Sequence, residues 1–339
     1  MNASAPSIVI LAGGVGGSRF TLGVRAAAHR RWGGAASITV IANTGDDAWV
    51  SGVRLQPDID SLLYALAGVN DTERGWGRTG ETERVQAELL AFGASWPWFT
   101  LGDLDAAMGI ARAGWLREDV TVSEIVARLS ARWDLGGVRI LPMTDTAVET
   151  TVITDDGSMH FQEWWVRHRA DVRPRRFEHG PIDTAAPAPG VLEAIAGADA
   201  VLLAPSNPVV SIGPILRVPG IAEAVATAPG RILGVSPIIG GRVVRGMADV
   251  CLDVLGVPTA ADAVGRRYGP RGGHGAFDRA ARPGLLDGWL IAEEDAALAP
   301  GLAADGIATR VRPLWMRDAE LSAALGDAAL DAALDAADF

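Results

Sequence analysis

The sequence predicts an α/β fold built on a doubly wound, mostly parallel sheet. Residues 7–12 form a short apolar run that ends in glycines, which is typical of a buried parallel strand. A helix is predicted over residues 18–31, and a second apolar run follows at residues 38–42. Strand, glycine turn, helix and strand make a βαβ unit, which indicates a Rossmann-like core.

The chain after this unit alternates between helical and strand-like patterns. Helical patterning from residue 81 to residue 133 predicts a helical insert of about residues 68–136. Asp155-Asp156-Gly157 between β-rich runs predicts a β-hairpin over residues 148–166. The other predicted helices span residues 58–67, 191–196, 221–226 and 247–255, and the other predicted strands span residues 200–204, 232–235, 289–292 and 309–312.

Length and composition allow one large domain or two small ones. The chain has 339 residues, and 49% of them are apolar, which is enough for a substantial core. We expect a single α/β domain over residues 1–325, with its Rossmann-like core at about residues 6–67 and 137–316. The acidic, alanine-rich residues 326–339 predict a tail that forms a solvated helix.

Charge, cysteine content and hydropathy exclude several classes of protein. The net charge of −11 and the pI near 4.9 argue against nucleic acid as a partner. Cys251 is the only cysteine, which excludes an intrachain disulfide and a CxxC site, and its helical pattern predicts a packed thiol. No apolar stretch approaches the ~18 residues of a membrane span, and the N-terminus lacks a basic leader region. We therefore expect a soluble, cytoplasmic protein.

A glycine-rich turn, Gly13-Gly14-Val15-Gly16-Gly17, follows the first predicted strand. It fits neither common nucleotide fingerprint: Arg19 replaces the third glycine of GxGxxG, no acid ends the second strand, and there is no Walker lysine. Glycines still let the main chain approach an anion at the N-terminus of the following helix, where Arg19 can add a charged contact. The alternative is a tight turn without a ligand.

Four carboxylates follow the second predicted strand within a short stretch: Asp46, Asp47, Asp58 and Asp60. The first pair lies at the carboxyl edge of the sheet, where open α/β sheets bind ligands, and the second pair begins a helix. Carboxylates from two loops with open positions suit Mg²⁺, which bridges diphosphate oxygens. The alternative for each pair is a helix cap or a solvated loop.

The most unusual segment is His160-Phe161-Gln162-Glu163-Trp164-Trp165-Val166-Arg167-His168-Arg169. On a predicted strand, Trp164 and Trp165 point to opposite faces, so both cannot be core residues of a sheet with one buried face. One of them can then stack on a flat ring, and Arg167 or Arg169 can pair with phosphate. The alternative is a strand buried on both faces. The histidines of the chain show no zinc-binding spacing.

Two proline-fixed loops follow later strands. Pro205-Ser206-Asn207-Pro208 follows the strand predicted at residues 200–204, and its amides and side chains can contact a base edge or a phosphate. Ser236-Pro237 follows the next strand in the same way, with Arg242 and Arg245 close behind. Each loop alone is compatible with an ordinary turn, but their shared position at strand ends extends the predicted crevice.

Together these motifs resemble the 2-phospho-L-lactate transferase family, whose actinobacterial members are called phosphoenolpyruvate transferases. The resemblance covers nearly the whole chain, up to about Met316. The residues that carry it are Gly13-Gly14-Val15-Gly16-Gly17-x-Arg19-Phe20, Asn43-x-Gly45-Asp46-Asp47-x-Trp49, Pro57-Asp58-x-Asp60, residues 160–169, Ala204-Pro205-Ser206-Asn207-Pro208 and Ser236-Pro237-Ile238-Ile239.

The resemblance implies a Mg²⁺-dependent, usually homodimeric enzyme of coenzyme F420 biosynthesis. It would join the deazaflavin precursor Fo to a phosphorylated three-carbon acid carried on guanosine diphosphate, and release GMP. Asp46 and Asp60 would hold Mg²⁺, while Asp47 or Asp58 orients a water or accepts the hydroxyl proton. Further binding residues are expected to be Gly13, Gly14, Gly16, Gly17, Arg19, Asp58, Ser206, Asn207, and Arg242 or Arg245 around the guanosine diphosphate, and Trp49, His160, and Trp164 or Trp165 around the deazaflavin.

Two details bear on the substrate. The family usually reads Leu-Gly-Asp-Arg-Asp-Leu-Ala-Thr-His where this chain has Leu104 and Gly109 in place of the Arg and the His, which bears on affinity or substrate identity. The overall sequence resembles the actinobacterial members more than the archaeal ones, so we expect the phosphoenolpyruvyl donor and a dehydro product. Alternatives are a phospholactyl or phosphoglyceryl donor, a non-enzymatic regulator that binds uridine-diphosphate sugars, as in a sister family, and, less favoured, a nicotinamide oxidoreductase.

Overall fold

The computed structural model describes residues 5–277 and 282–334. Its strands are β1 (Ser7–Ala12), β2 (Ser37–Ala42), β3 (Ala48–Val50), β4 (Val53–Leu55), β5 (Val138–Pro142), β6 (Thr150–Thr154), β7 (Gly157–His160), β8 (Arg176–His179), β9 (Ala200–Leu203), β10 (Arg231–Val235), β11 (Ile238–Ile239), β12 (Arg242–Val243), β13 (His274–Gly275), β14 (Arg282–Pro283), β15 (Gly288–Ile291) and β16 (Thr309–Val311). Its α-helices are α1 (Gly14–Trp32), α2 (Pro57–Ala67), α3 (Arg84–Ala91), α4 (Asp103–Arg117), α5 (Val122–Ser130), α6 (Val191–Ala196), α7 (Ile212–Arg217), α8 (Ile221–Ala226), α9 (Ala248–Val254), α10 (Ala261–Tyr268), α11 (Ala299–Ala304) and α12 (Ala319–Leu334).

The central sheet has seven parallel strands in the order β16-β15-β10-β9-β1-β2-β5. Side chains of β1 alternate between two apolar cores: Ile8 and Ile10 pack into one, and Val9 and Leu11 into the other. Both faces of the sheet are therefore covered, as a doubly wound fold requires. The predicted α/β, Rossmann-like class is confirmed.

The strand order reverses between β1 and β9. From β1 the chain runs outward to β2 and β5, and it then returns to place β9 on the other side of β1. Such a reversal opens a crevice beyond the carboxyl ends of the two strands, where ligands of open α/β sheets bind. The glycine turn follows β1 and the proline loop follows β9, so the two predicted loops meet there.

The helical insert is present, with α3, α4 and α5 between α2 and β5. Helix α4 packs on the hairpin of β3 and β4, which the sequence did not reveal, and a small apolar cluster fills the contact. The close approach occurs at Gly109, where a Cβ atom would lie 3.1 Å from Val53 Cβ. Position 109 therefore cannot accept a larger side chain unless α4 or β4 shifts.

The predicted β-hairpin is confirmed for β6 and β7, which pair antiparallel across Asp155-Asp156. Its second strand ends at His160, however, and residues Glu163–Arg167 form a π-helical turn instead of continuing the strand to residue 166. The prediction of a strand through both tryptophans was wrong. The turn buries Trp164, whose indole Nε1–H donates to Val172 O at 2.7 Å.

The C-terminal helix α12 packs against α1 and is part of the core. Gly23 and Gly326 lie where the two helix backbones approach too closely for a side chain. Leu330 and Ala333 are buried, while the acid Asp331 pairs with Arg31 at 2.8 Å. The predicted solvated tail was therefore wrong as far as residue 334, because small residues form one packing face; residues 335–339 lie outside the described part of the chain. Among the described residues, no helix is long and apolar enough to cross a membrane.

Candidate active site at the switch point of the sheet

The glycine turn forms the first turn of a helix. Helix α1 begins at Gly14, earlier than predicted. A Cβ atom on Gly13 would lie 2.5 Å from Asp58 Oδ2, and one on Gly16 would lie 2.8 Å from Pro205 O. Only glycine permits these approaches, so the turn is wedged between the acidic loop and the proline loop. The predicted close association of these loops is present in the structure.

Two backbone N–H groups of the turn are already engaged within the protein. Gly13 N–H donates to Ser206 Oγ at 3.1 Å, and Gly14 N–H donates to Asp58 Oδ1 at 2.8 Å. The N–H groups of residues 15 and 16 have no intrahelical acceptor at the start of the helix, so they are the ones available to an anion.

Ser206 and Asn207 stabilise the loop that borders the crevice after β9. The Ser206 hydroxyl also donates to Gly13 O at 2.7 Å. Asn207 Oδ1 accepts the N–H groups of Val209 and Val210, and its Nδ2 lies 3.5 Å from the buried Cys251 Sγ. The polar atoms of both side chains therefore hold the loop after β9, and their contact with a base edge or a phosphate stays a prediction.

Arginines border the crevice near the glycine turn. Arg19 donates to Met316 O at 3.2 Å, and Arg245 donates to Gly75 O at 3.0 Å. Burial and, next, the positive charge of Arg19 lower the pKa of Arg245, which places these two cations near each other. Within the described part of the chain, neither forms a salt bridge, and Arg242 lies exposed on β12. Two neighbouring cations without a carboxylate suit a phosphate group.

Three of the four predicted carboxylates are buried: Asp46, Asp47 and Asp58. A solvated loop is therefore ruled out for them. Asp58 is fully engaged, because its Oδ1 accepts Gly14 N–H and its Oδ2 accepts an N–H of Asn43 Nδ2 at 2.8 Å. Burial raises the pKa of Asp58 to about 6, although these two hydrogen bonds act against the rise. Asp58 thus ties the glycine turn directly to the acidic loop.

A buried arginine that the sequence reading missed, Arg54, faces Asp47. Its guanidinium lies 3.6 Å from Asp47 Oδ2 and also pairs with Glu149, while Gln56 Nε2 donates to the same Asp47 oxygen at 2.7 Å. Burial raises the pKa of Asp47 to about 8, and the Arg54 charge opposes that rise. The sequence does carry a signal for this role: Arg54 lies within the apolar strand Val53-Arg54-Leu55, between the two pairs of aspartates in the sequence.

A second buried arginine, Arg112 of α4, was also missed. It is 1% exposed, and its guanidinium donates to both Asp60 oxygens, at 2.5 Å and 3.3 Å. Burial raises the pKa of Asp60, and Arg112 acts against that rise. The available signal was an arginine on the same helical face as Met108 and Leu116, a stripe that is otherwise apolar.

Asp46 has neither a counter-charge nor a full set of hydrogen bonds. Its Oδ1 is buried with no hydrogen-bond partner. Burial raises its pKa well above the usual range, and the charges of Asp58 and Asp47 add to the rise, while the Thr150 hydroxyl opposes it. An unpartnered carboxylate oxygen beside further carboxylates fits a cation. Asp60 differs, because both of its oxygens accept from Arg112, whose charge compensates this carboxylate.

Thr150 supports Asp46 from the neighbouring sheet. Its backbone N–H donates to Gly45 O at 2.6 Å, and its Oγ1 lies 3.0 Å from His179 Nδ1. Burial lowers the pKa of His179 to about 3, so this imidazole is neutral. Because threonine has one hydroxyl proton, donation to Asp46 requires His179 to supply an Nδ1–H to Thr150. Among the described residues, no group of three or more His, Cys, Asp or Glu side chains is arranged to bind a metal.

His160 holds the acidic loop, and the tryptophans divide into two kinds. His160 Nδ1 accepts Gln162 N–H at 3.0 Å, so its proton is on Nε2, which donates to Asp47 O at 3.1 Å. Trp164 is fully buried, so of the two predicted alternatives for stacking only Trp165 remains. Trp49 and Trp165 are 45% and 37% exposed and remain available to a flat ring.

Comparison with known proteins shows which family this chain resembles. The family described as 2-phospho-L-lactate transferase CofD matches residues 8–302. A Thermobifida fusca (strain YX) protein named phosphoenolpyruvate transferase is 48% identical over 335 residues, which cover 97% of this chain and 98% of that protein. A Nocardia farcinica (strain IFM 10152) protein of the same name is 46% identical over 338 residues, covering 98% and 96%.

A solved structure supports the fold alone. The crystal structure of a Bacillus halodurans protein of the UPF0052 family superposes with a TM-score of 0.57 at 18% identity, covering 97% of this chain and all of that one. Sequence identity over nearly the full length of named relatives, together with the family match, identifies the family. The chain belongs to the 2-phospho-L-lactate transferase CofD family, as the six motifs predicted.

Proposed function

We propose that this protein transfers a phosphoenolpyruvyl group from enolpyruvyl-diphospho-guanosine to Fo, giving dehydro coenzyme F420-0 and GMP. Family membership and the names of the relatives support the reaction class. The observation that carries the proposal is the Asp58 bridge, which brings the amides of a helix N-terminus and the unpartnered Asp46 to one crevice. A diphosphate needs both kinds of group.

The reaction forms one bond and breaks another at the same phosphorus. The terminal ribityl hydroxyl of Fo attacks the phosphorus that carries the three-carbon acid, and the bond to the GMP oxygen breaks. Catalysis of this kind depends mainly on positioning and charge neutralisation. Asp47 is the favoured proton acceptor, because both oxygens of Asp58 already accept N–H groups and burial holds the pKa of Asp47 near 8.

Mg²⁺ is the cation that the family implies, and Asp46 is the residue that fits it best. When bound, Mg²⁺ would neutralise the charge of the diphosphate. The role of Asp60 as a second ligand stays a prediction, and its pairing with Arg112 does not favour it. Asp60 is assigned instead to the support of the acidic site.

The binding roles follow from which groups remain available. The first-turn amides of α1, Arg19 and either Arg245 or Arg242 would receive the guanosine diphosphate. Trp49 and Trp165 would border the deazaflavin. A homodimer is also proposed, on the family resemblance, and light scattering on the purified protein tests it: a monomer at all concentrations would contradict it.

The test supplies Fo, Mg²⁺ and each of three guanosine-linked acids, and weighs the product by mass spectrometry. We expect turnover of the enolpyruvyl donor and a dehydro product, with none in excess EDTA. Turnover of the phospholactyl donor alone, with the heavier saturated product, would show that the donor is wrong. Calorimetry with GDP, a UDP-sugar and NAD tests the class: preference for the UDP-sugar indicates a regulator, and tight NAD binding indicates an oxidoreductase.

A further inference from the structure

The helical insert reaches the acidic site through one side chain. Arg112 lies on α4, yet its guanidinium contacts two parts of the core: both Asp60 oxygens on α2 and, at 2.9 Å, the carbonyl oxygen of Arg54 on β4. Arg54 in turn faces Asp47. One buried cation from the insert is thus connected to both acidic segments.

The position of Arg112 is fixed by close packing. One turn earlier on α4, a Cβ atom on Gly109 would lie 3.3 Å from Arg54 O and 3.1 Å from Val53 Cβ. The absence of a side chain at Gly109 lets α4 pack closely on β4, which places the Arg112 guanidinium within hydrogen-bond distance of both Asp60 and Arg54 O. Two parallel N–H···O bonds between a guanidinium and a carboxylate also fix their relative orientation.

The charge balance of the site depends on this contact. Asp47 has Arg54, Asp60 has Arg112, Asp58 has two N–H donors, and Asp46 has an oxygen with no partner. A carboxylate that is paired with a buried guanidinium already has its charge compensated, and breaking the pair to bind a cation would leave a buried charge uncompensated, which is costly. The cation preference therefore falls on Asp46.

We propose that Arg112 is a positioning residue through which the helical insert occupies Asp60 and reserves cation binding for Asp46. The inference rests on the proposed function only in that the site handles a divalent cation. It assigns to the insert a role in setting where the cation binds, and it makes Asp60 a structural partner of Arg112 instead of a metal ligand.

The test uses Mn²⁺ alone as the probe, titrated into the full-length protein and followed by electron paramagnetic resonance. Arg112→Met frees the Asp60 carboxylate, so we expect Mn²⁺ to bind at least about tenfold more tightly, or a second Mn²⁺ to bind. Arg117→Met, on the exposed side of the same helix, is the matched control and should match the unchanged protein. A folded Arg112→Met protein with unchanged Mn²⁺ affinity and stoichiometry overturns the proposal.

If Arg112→Met alone does not fold, the double variant Arg112→Met/Asp60→Asn, which removes both charges, provides the test. If Asp60 is not a ligand, this double variant retains the Mn²⁺ affinity of the unchanged protein; a loss of more than about tenfold overturns the proposal. Asp46→Asn separates this inference from the proposed function. Retention of Mn²⁺ binding by Asp46→Asn would refute the cation role of Asp46 whatever the Arg112 variants show.

Discussion

Asp46 and Asp60, one from each acidic segment of the site, have opposite electrostatic surroundings. The loop after β2 carries Asp46, whose Oδ1 is buried without a partner, and the first turn of α2 carries Asp60, whose two oxygens accept from Arg112. Both carboxyl groups have a raised pKa because of burial. The difference lies in a cation that comes from another part of the chain. Counting carboxylates in a sequence therefore overstates how many are available to a metal.

The largest expected effect comes from Asp46→Asn. Removing the carboxylate whose Oδ1 has no partner should lower kcat by a factor on the order of a hundred to a thousand. The metal-free protein should become more stable, because the like charges of Asp47 and Asp58 no longer face a third carboxylate. Steady-state kinetics and thermal unfolding measure the two effects, with the exposed Asp156→Asn as control. Near-normal turnover would show that the loop and the helix have been assigned the wrong way round.

Breaking the Arg112–Asp60 pair tests the other side of the comparison. Either Arg112→Met or Asp60→Asn leaves a buried partner uncompensated and should lower the free energy of unfolding by about 3 kcal/mol. The double variant removes both charges and should cost clearly less than the sum of the single changes. Guanidinium unfolding of the four proteins provides the cycle. Additive costs would mean that the two side chains are not coupled.

A smaller effect is expected from the support behind Asp46. Thr150→Val removes the hydroxyl that opposes the raised pKa of Asp46 and should weaken Mn²⁺ binding by about tenfold. Thr150→Ser keeps the hydroxyl and should retain most of the affinity. Thr150→Val should leave the Arg112–Asp60 pair intact, so we expect only a small decrease in the free energy of unfolding. Equal Mn²⁺ affinity in the Val and Ser variants would remove Thr150 from the site.

The smallest effect is a pH dependence of stability in the metal-free protein. Asp47 has a folded pKa of about 8, above its ordinary value of 3.8, so the folded state binds its proton more tightly than the unfolded state does. Its contribution is therefore fully favourable below pH 4 and is lost as the pH rises to about 8. Asp47→Asn should match the unchanged protein below pH 4 and exceed its melting temperature near pH 8. An equal difference at both pH values would contradict the raised pKa.

Local patterns were enough to predict the core and its loops. The strand at residues 7–12, the glycine turn and the acids after β2 lie within one βαβ unit, where sequence neighbours are also neighbours in space. The Asp-Gly turn fixed the hairpin for the same reason. These features needed no knowledge of distant parts of the chain.

Long-range packing could not be predicted in the same way. Arg112 meets Asp60 across 52 residues of sequence, and α12 reaches α1 from the other end of the chain. Neither contact leaves a local pattern, apart from an arginine in an apolar stripe and small residues on one helical face. Trp164 was misplaced because aromatic, β-rich residues favour a strand, whereas tertiary burial stabilises a π-helical turn.

The most direct measurement is anomalous diffraction from crystals of the protein soaked with Mn²⁺. We expect one anomalous peak about 2 Å from an oxygen of the Asp46 carboxylate, which is the distance of a metal ligand. The Arg112 guanidinium should still be paired with Asp60. A peak on the Asp60 carboxylate, with Arg112 displaced, would contradict the account.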